Sequence, residues 1–174
     1  ALPAIALALK YGVSMETIQE ALPSFTGTRR RFEYKGSLGG ITIYDDYAHH
    51  PSEISATLGA ARACVSGDEK LWCLFQPHTF SRTKAFLPEF AEALSLADTV
   101  VLADIYSASR EKDPGDISSA DIMKLIKEKG NNVYHFHSFY EIEKFLLANC
   151  RPDDLLITMG AGDIVSVAES MVKQ

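Results

Sequence analysis

Several features that define large classes of protein are missing from this sequence of 174 residues. No apolar run approaches the roughly 18 residues of a membrane span, and the apolar opening lacks the basic start of a signal peptide. The three cysteines, Cys64, Cys73 and Cys150, form no C-x-x-C pair, which indicates small, reduced core residues of a cytoplasmic protein. Seventeen basic residues against 23 acidic ones argue against nucleic acids and anionic membranes as partners.

Motifs that carry the chemistry of many enzymes are also missing. The chain contains no G-x-x-x-x-G-K-[ST] phosphate loop, no G-x-S-x-G elbow and no arrangement typical of a cysteine nucleophile. Gly160-Ala161-Gly162 begins like a dinucleotide-binding fingerprint, but Val165 occupies the position of its third glycine. The sequence therefore predicts neither a covalent nucleophile nor a phosphate-cradling loop in this chain.

What the sequence does contain is a regular alternation of short apolar runs with helical faces. It predicts an α/β, Rossmann-like fold: a mostly parallel sheet with helices on both faces and an N-terminal hairpin strand around the turn 37–40. Two short helices at 2–11 and 15–22, with Ser14 as N-cap, precede this unit as a remnant of another domain. The chain opens at Ala1 inside a helical pattern, so we expect it to have been cut from a longer protein. The apolar runs are 71–75, 99–105, 133–136 and 154–159.

Polar and charged residues follow four of the predicted strands. Ligands of an open parallel sheet bind outside the carboxyl ends of its strands, so these segments predict one shared cleft. The basic triplet Arg29-Arg30-Arg31 is either a solvated loop or a rim that closes over phosphates. The four segments are Asp45–Pro51, Gln76–Arg82, Tyr106–Asp113 and Gly160–Asp163.

The residue types in this cleft leave several chemistries open. Pro51 and Ser52 open a helix, and the free N–H groups of its first turn suit an anion or a carboxylate. Arg82 has a fork that can capture a carboxylate or phosphate, or it is a solvated arginine at a helix start. The neighbouring aspartates and histidines resemble metal ligands, but adjacent side chains point in different directions, so they cannot all bind one ion.

Four segments carry a resemblance to a known family. FTGTRRRFE, YDDYAHHPSEISATLGAAR, FQPHTFSRTK and GAGDI resemble, in this order, the C-terminal domain of the Mur ligase family. The resemblance covers essentially the whole chain. It implies that residues 1–26 are the last helices of the family's central ATPase domain and that residues 27–174 are its C-terminal domain.

The resemblance is strongest to the alanine-adding members and implies an ATP-dependent amide-bond ligase of peptidoglycan synthesis. ATP would phosphorylate the carboxylate of UDP-N-acetylmuramate, and the amine of L-alanine would attack the acyl phosphate. ATP, Mg²⁺ and UDP-N-acetylmuramate would require the other domains of the complete enzyme. We therefore expect the isolated chain to be inactive, without catalytic residues or a metal site, and to hold no cofactor tightly.

The same resemblance assigns roles to residues of the cleft. The sequence departs from the family pattern in two places. Thr79 stands where some members have a second arginine, and the segment SASREKDPG differs from the usual pattern. Glu111 and Asp113 in this segment are candidates for the rim of the cleft. The implied L-alanine pocket, in which Arg82 pairs with the carboxylate, is Tyr47, His49, His78 and Arg82. The implied ATP contacts are Arg30 and Arg31 to the phosphates and Asp45 and Asp46 to the ribose.

Two other kinds of function remain open on the sequence. One is a stand-alone metal-dependent phosphohydrolase that uses a cluster of aspartates and histidines, namely Asp45, Asp46, His49, His50 and His78. The other is a binding module that performs no chemistry. Metal analysis separates the first from a ligase domain, because stoichiometric Mn²⁺ or Zn²⁺ held by these five residues in the isolated chain favours the phosphohydrolase.

Overall fold

The computed structural model describes residues 2–25, 27–107, 109 and 111–173. Six strands form one sheet, and in chain order they are β1 Glu33–Leu38, β2 Ile41–Asp46, β3 Leu71–Phe75, β4 Thr99–Leu102, β5 Asn132–His135 and β6 Leu155–Met159. Their order across the sheet is β1-β2-β6-β3-β4-β5. Only the β1–β2 pair is antiparallel and the other four pairs are parallel, as the sequence predicted.

Helices cover both faces of the sheet. One apolar layer packs against α3, α5 and α6 and includes Ile54, Phe90 and Ile122, whereas the opposite layer packs against α7 and α8. This arrangement confirms the predicted α/β class, because parallel strands need crossover helices and both faces must be buried. The helices are α1 Leu2–Lys10, α2 Met15–Ala21, α3 Pro51–Arg62, α4 Phe80–Ala85, α5 Leu87–Leu94, α6 Ser119–Glu128, α7 Phe139–Asn149 and α8 Val165–Met171.

The central strands place the strand ends that form the site. Every residue of β3, β4 and β6 is buried, so these strands read as continuous apolar runs rather than as an alternating pattern. In the register, Phe75 lies beside both Met159 and Leu102. The three strands therefore end at the same level, and the polar segments that follow them are brought side by side.

The hairpin between β1 and β2 turns on two glycines. Gly39 and Gly40 have φ values of 58° and 88°, the left-handed values that a two-residue type I′ turn requires. A Cβ on Gly40 would lie 2.9 Å from the Pro152 Cβ, so the position also has no room for a side chain. The hairpin is confirmed, but its turn is shorter than the predicted 37–40 segment, because Ser37 and Leu38 still pair with β2.

Two predicted elements have different ends in the structure. The strand formed by the apolar run 99–105 ends at Leu102, although the backbone beyond it still bonds to its neighbour. The Ala103 amide donates to the carbonyl of Phe75, the last residue of β3, at 3.0 Å, and the Tyr106 amide donates to the Pro77 carbonyl in the segment after β3 at 2.8 Å. Apolar residues also repeat at helical spacing from Phe86 to Ala97, and the helix there, α5, spans Leu87–Leu94.

The N-terminal helices are largely exposed. Ser14 caps α2 as predicted, with its hydroxyl accepting from the Thr17 amide at 3.3 Å. Helix α1 has no buried residue among those described, and the two helices line an apolar cavity of about 270 Å³. The predicted boundary of this segment, at residues 1 and 26, falls on positions outside the described residues. No described helix combines the length and the apolar character that crossing a bilayer demands.

The cysteines agree only in part with the sequence prediction. All three are free thiols. Burial raises the pKa of Cys73, and burial with the nearby Asp154 charge raises the pKa of Cys150 to about 12, so both stay protonated. The prediction that all three are core residues is wrong for Cys64, which is exposed at the C-terminal end of α3, beyond the apolar stripe that faces the sheet.

Candidate functional site

The four polar segments meet at the carboxyl edge of the sheet, as the sequence predicted. The Gln76 side chain connects two of them, because its amide donates to Asp163 at 2.9 Å and its carbonyl accepts from the Ile164 amide at 3.3 Å. The segment after β4 joins through Tyr106, whose carbonyl accepts from the Thr79 amide at 2.9 Å. The site therefore rests on backbone contacts between neighbouring strand ends.

One half of this edge is closed by a single arginine. The Arg30 guanidinium donates from Nε to Asp45 Oδ2 at 2.9 Å, from Nη2 to the Gly160 carbonyl at 2.7 Å and from Nη1 to the Gly162 carbonyl at 3.1 Å. We call Arg30, Asp45 and these two carbonyls the arginine brace. All three of its nitrogens are engaged inside the protein, which gives Arg30 a positioning role.

The two aspartates after β2 are also turned inward. Asp45 is fully buried, and its Oδ1 accepts from the Thr158 hydroxyl at 2.7 Å. Asp46 is almost fully buried and accepts from the Phe32 amide at 2.7 Å and from the Ala48 amide at 2.8 Å. Each of the four carboxylate oxygens accepts a hydrogen bond, so the two aspartates hold the loop that contains Arg30 and Phe32 against the sheet. Contact with an ATP ribose stays a prediction for both residues.

Gly160 and Gly162 have no room for a side chain, because residues from the neighbouring strand ends lie against them. A Cβ on Gly162 would lie 2.3 Å from Gln76 Oε1 and 2.8 Å from Tyr106 Cγ. A Cβ on Gly160, whose φ is 145°, would lie 2.7 Å from the Gln76 carbonyl oxygen. The GAG sequence therefore serves close packing between strand ends and exposes two carbonyls to Arg30.

The other half of the edge is an open, aromatic pocket. The Tyr47 and His49 rings lie 5.4 Å apart, the His49 and His78 rings 6.0 Å apart, and the His78 and Tyr106 rings 5.8 Å apart, measured between centroids. We call the residues Tyr47, His49, His78 and Arg82 the histidine pocket. All four predicted alanine-pocket residues are thus brought together, each of them half-buried.

Arg82 lies against the imidazole of His78. Its Nη1 is 3.2 Å from His78 Nδ1 and 3.5 Å from the His78 carbonyl oxygen. These contacts hold the guanidinium beside the His78 ring. Among the described residues, Nε and Nη2 of Arg82 have no hydrogen-bond partner, so a fork of two donors is left for a ligand.

The predicted anion site at the start of α3 is filled by the chain itself. The Glu53 carboxylate accepts from the amides of His49 and His50 at 3.1 and 3.2 Å, and His50 Nδ1 accepts from the Ser52 amide. Burial raises the pKa of Glu53, but these amides and the nearby charges of His49 and Arg31 outweigh it, so that the pKa lies below its usual value. The helix start therefore holds His49 in place rather than binding an external anion.

Arg31 differs from its neighbour in pointing outward. It is exposed, and its guanidinium carbon lies 5.7 Å from the centre of the Tyr47 ring. It also lines a cleft of about 460 Å³ formed by residues 27–34. Arg30 and Phe32 on either side have positive φ values of 55° and 47°, which turn these adjacent side chains in different directions.

Thr79 and the loop after β4 form the rim. Thr79, a β-branched residue, has a φ of 69°, so the turn that carries His78 to Arg82 is strained. Glu111 accepts from the Ser81 amide at 3.0 Å and from its hydroxyl, and these bonds lower its pKa. Asp113 instead accepts from the Gly115 amide within its own turn. Residues 108 and 110 of this loop lie outside the described part of the chain.

The phosphohydrolase alternative gains no support from the structure. The Asp45 and Asp46 oxygens are already bonded to protein donors, and His50 Nδ1 lies 2.9 Å from the Ser52 hydroxyl. In the described part of the chain, only Asp104, His135 and His137 place ligand atoms close enough together for a metal ion. Sequence analysis missed this group, although the H-x-H spacing on a predicted strand was a usable signal.

Comparison with known proteins identifies the family. The family described as "Mur ligase, glutamate ligase domain" matches residues 30–162. A UDP-N-acetylmuramate–L-alanine ligase of Lachnoclostridium phytofermentans is 56% identical over 99% of this chain, and one of Agathobacter rectalis is 56% identical over all of it. The chain spans 36% and 37% of the length of these relatives.

Solved structures agree with the sequence relatives. The UDP-N-acetylmuramate-alanine ligase of Thermotoga maritima matches 97% of this chain with a TM-score of 0.78 and 30% identity, over 35% of its own length. A crystallised domain from Haemophilus ducreyi, 24% identical with a TM-score of 0.61, covers 82% of this chain and 98% of its own, and it shows the fold alone. The phosphohydrolase alternative finds no support among these relatives. The chain belongs to the Mur ligase family.

Proposed function

We propose that this chain is the C-terminal domain of an enzyme that joins L-alanine to UDP-N-acetylmuramate at the expense of ATP. In that reaction ATP phosphorylates the muramate carboxylate, and the alanine amine attacks the acyl phosphate and displaces phosphate. The observation that carries the proposal is the histidine pocket, where one arginine fork and three aromatic side chains converge. The names of the relatives supply the two substrates that are joined.

The histidine pocket suits a small amino acid for electrostatic reasons. A carboxylate fits the free Nε and Nη2 donors of Arg82, since an arginine fork and a carboxylate match in shape and charge. The amine has to reach the acyl phosphate uncharged, and His78 beside Arg82 offers a ring nitrogen with which it can hydrogen-bond. The pocket contributes position, and the bond-forming step belongs to the reacting groups it aligns.

The nucleotide part of the proposal divides the motif residues into two roles. Arg31, exposed beside the cleft of about 460 Å³, is the residue that reaches ATP phosphates. Arg30, Asp45 and Asp46 hold that loop against the sheet, since Asp45 is fully buried and the polar atoms of all three side chains already have protein partners. The carboxylates of Asp45 and Asp46 do not fit a Mg²⁺ site, because their oxygens already accept from protein donors.

The N-terminal segment completes the domain assignment. Residues 1–26 are proposed to be the last helices of a central ATPase domain, and 27–174 the C-terminal domain. The family match begins only at residue 30, and α1 exposes large apolar side chains such as Leu2 and Leu7. We also propose that the enzyme acts in the cytoplasm, in keeping with its three free thiols.

The proposal is tested in the complete enzyme with Arg82→Ala. We expect the KM for L-alanine to rise by at least about 30-fold, corresponding to the roughly 2–5 kcal/mol of a lost charged partner, with a smaller change in the KM for ATP. Arg151→Ala, an exposed arginine at the opposite edge of the sheet, is the matched control. An unchanged alanine dependence in Arg82→Ala removes the assignment.

The isolated chain provides the complementary test. We expect phosphate release from ATP to stay at background with L-alanine and UDP-N-acetylmuramate present, because this chain has no phosphate loop. Turnover by the 174-residue chain alone would contradict the proposed division of labour between domains.

A further inference from the structure

A second cluster of titratable side chains lies at the same sheet edge, outside the histidine pocket. His135 Nε2 is 2.8 Å from Asp104 Oδ1, and His137 Nδ1 is 3.1 Å from the same oxygen and 3.0 Å from Oδ2. The two imidazole rings lie 4.8 Å apart. We call these three residues the His-Asp-His cluster, and no role in the proposed ligase reaction requires them.

The fold places the three ligand atoms together for a simple geometric reason. His135 is the last residue of β5, and His137 follows two residues later, beyond the end of the strand. His135 pairs with Leu102 at the end of β4, so Asp104 follows on the neighbouring strand end. The Phe136 amide donates to the Leu102 carbonyl at 3.1 Å and fixes the register between the two histidines.

The distances suit a tetrahedral ion. Ligand atoms about 2.0–2.1 Å from Zn²⁺ lie roughly 3.3 Å from one another in a tetrahedron. The contacts of Asp104 Oδ1 with His135 and His137, at 2.8 and 3.1 Å, are close to that value, and all three ligand atoms lie within 4.8 Å of one another. Small rotations of the exposed His137 side chain would complete the geometry.

We propose that the His-Asp-His cluster is a binding site for Zn²⁺. Two imidazoles and one carboxylate favour Zn²⁺ over Mg²⁺ and Ca²⁺, which prefer all-oxygen ligands. Asp104 and His137 also line a cleft of about 440 Å³ that contains Tyr106 and Asp163, so the fourth coordination position is accessible to water or to a ligand. The ion would tie the ends of β4 and β5 together beside the proposed alanine pocket.

The site is tested by zinc binding to the 174-residue chain. We expect one Zn²⁺ per chain in a competition titration against a chromogenic zinc chelator, and we expect Co²⁺ bound in its place to show the visible absorption bands of tetrahedral coordination. His137→Ala should weaken Zn²⁺ binding by more than about 100-fold, because even the loss of a residue that only supports a ligand costs 10–100-fold. His137 is largely exposed, so this variant keeps the fold.

A matched control distinguishes this site from the other histidines. His50→Asn also removes one imidazole but keeps a residue that can cap α3, and it should bind Zn²⁺ like the unaltered chain. His135→Gln provides a second ligand variant, with its fold checked by circular dichroism. Absence of stoichiometric Zn²⁺ binding, or binding that survives both ligand variants, would overturn the proposal and leave the cluster as a hydrogen-bonded triad.

Discussion

The arginine brace and the histidine pocket occupy the same sheet edge but differ in how their polar groups are used. In the brace, Arg30 forms an ion pair with the fully buried Asp45 and also donates to two backbone carbonyls. In the pocket, Arg82 contacts His78, and its Nε and Nη2 have no partner among the described residues. Each half contains one arginine from the motif segments. The difference shows that a charged motif residue can either stabilise the fold or remain available to a ligand. Its burial and its hydrogen-bond partners determine which of the two it does.

The largest expected effect separates Arg30 from Arg82. Arg30→Ala leaves the buried Asp45 carboxylate without its counter-charge, so we expect the free energy of unfolding to fall by about 3–5 kcal/mol. Arg82→Ala should change it by less than about 1 kcal/mol, because its contacts are few and partly exposed. Urea denaturation of the 174-residue chain measures both values.

The control for this comparison lies one residue away. Arg29→Ala removes an exposed arginine from the same loop and should stay within about 0.5 kcal/mol of the unaltered chain. Equal losses of stability for Arg30→Ala and Arg82→Ala would show that the two arginines contribute equally to the fold, and would contradict the distinction between the brace and the pocket.

The next effect tests the close packing around Gly162, whose carbonyl belongs to the brace. In Gly162→Ala the new methyl group would meet Gln76 and Tyr106 at 2.3 and 2.8 Å, so we expect a loss of about 1–3 kcal/mol from overpacking. Gly59→Ala, at a position in α3 with open space around it, should instead raise stability by up to about 1 kcal/mol. Urea denaturation compares the two alanines, and a Gly162→Ala variant as stable as Gly59→Ala would refute the packing argument.

The smallest effect concerns the open half and depends on pH. The pKa of Glu53 is lowered in the folded chain, so the carboxylate stabilises the fold above its usual pKa of 4.5 and loses this effect as the pH falls through the lowered value. Glu53→Gln should therefore cost less than about 1 kcal/mol at neutral pH, since the side chain is partly exposed and screened. The difference should vanish in acid.

Urea denaturation at pH 7 and at about pH 3 measures this dependence. Glu128→Gln, an exposed carboxylate at the end of α6, is the control and should show no comparable loss at neutral pH. A Glu53→Gln difference that grows toward low pH would have the wrong sign and would rule out the proposed bonding of Glu53 to the His49 and His50 amides.

The sequence was most informative where a single local rule applied. Apolar runs of strand length predicted β3 and β6 to within one residue, and Ser14 predicted the start of α2. It was least informative about where a strand ends. The apolar run 99–105 contains no signal that β4 stops at Leu102, three residues before the run does. The end of a strand depends on partners that lie far apart in the chain.

The candidate site shows the same division. The types and order of its residues, and their meeting at the carboxyl edge, follow from the sequence and from the rule for parallel sheets. The orientation of individual side chains does not. Arg30 and Arg31 are adjacent and identical, yet one is engaged inside the protein and the other is exposed, because positive φ values at Arg30 and Phe32 turn the loop between them.

The sequence by itself determined the α/β class, the family and the residues that form the edge of the sheet, because periodicity and motif order are properties of the chain. Only the tertiary structure decided which of these residues face a ligand. Burial and hydrogen bonding are set by residues from other segments: Thr158 and Arg30 engage Asp45, whereas two nitrogens of Arg82 have no partner in the described part of the chain. The tertiary structure also assembled the His-Asp-His cluster, because the register of β4 and β5 brings Asp104 to a pair of histidines about thirty residues away in the chain.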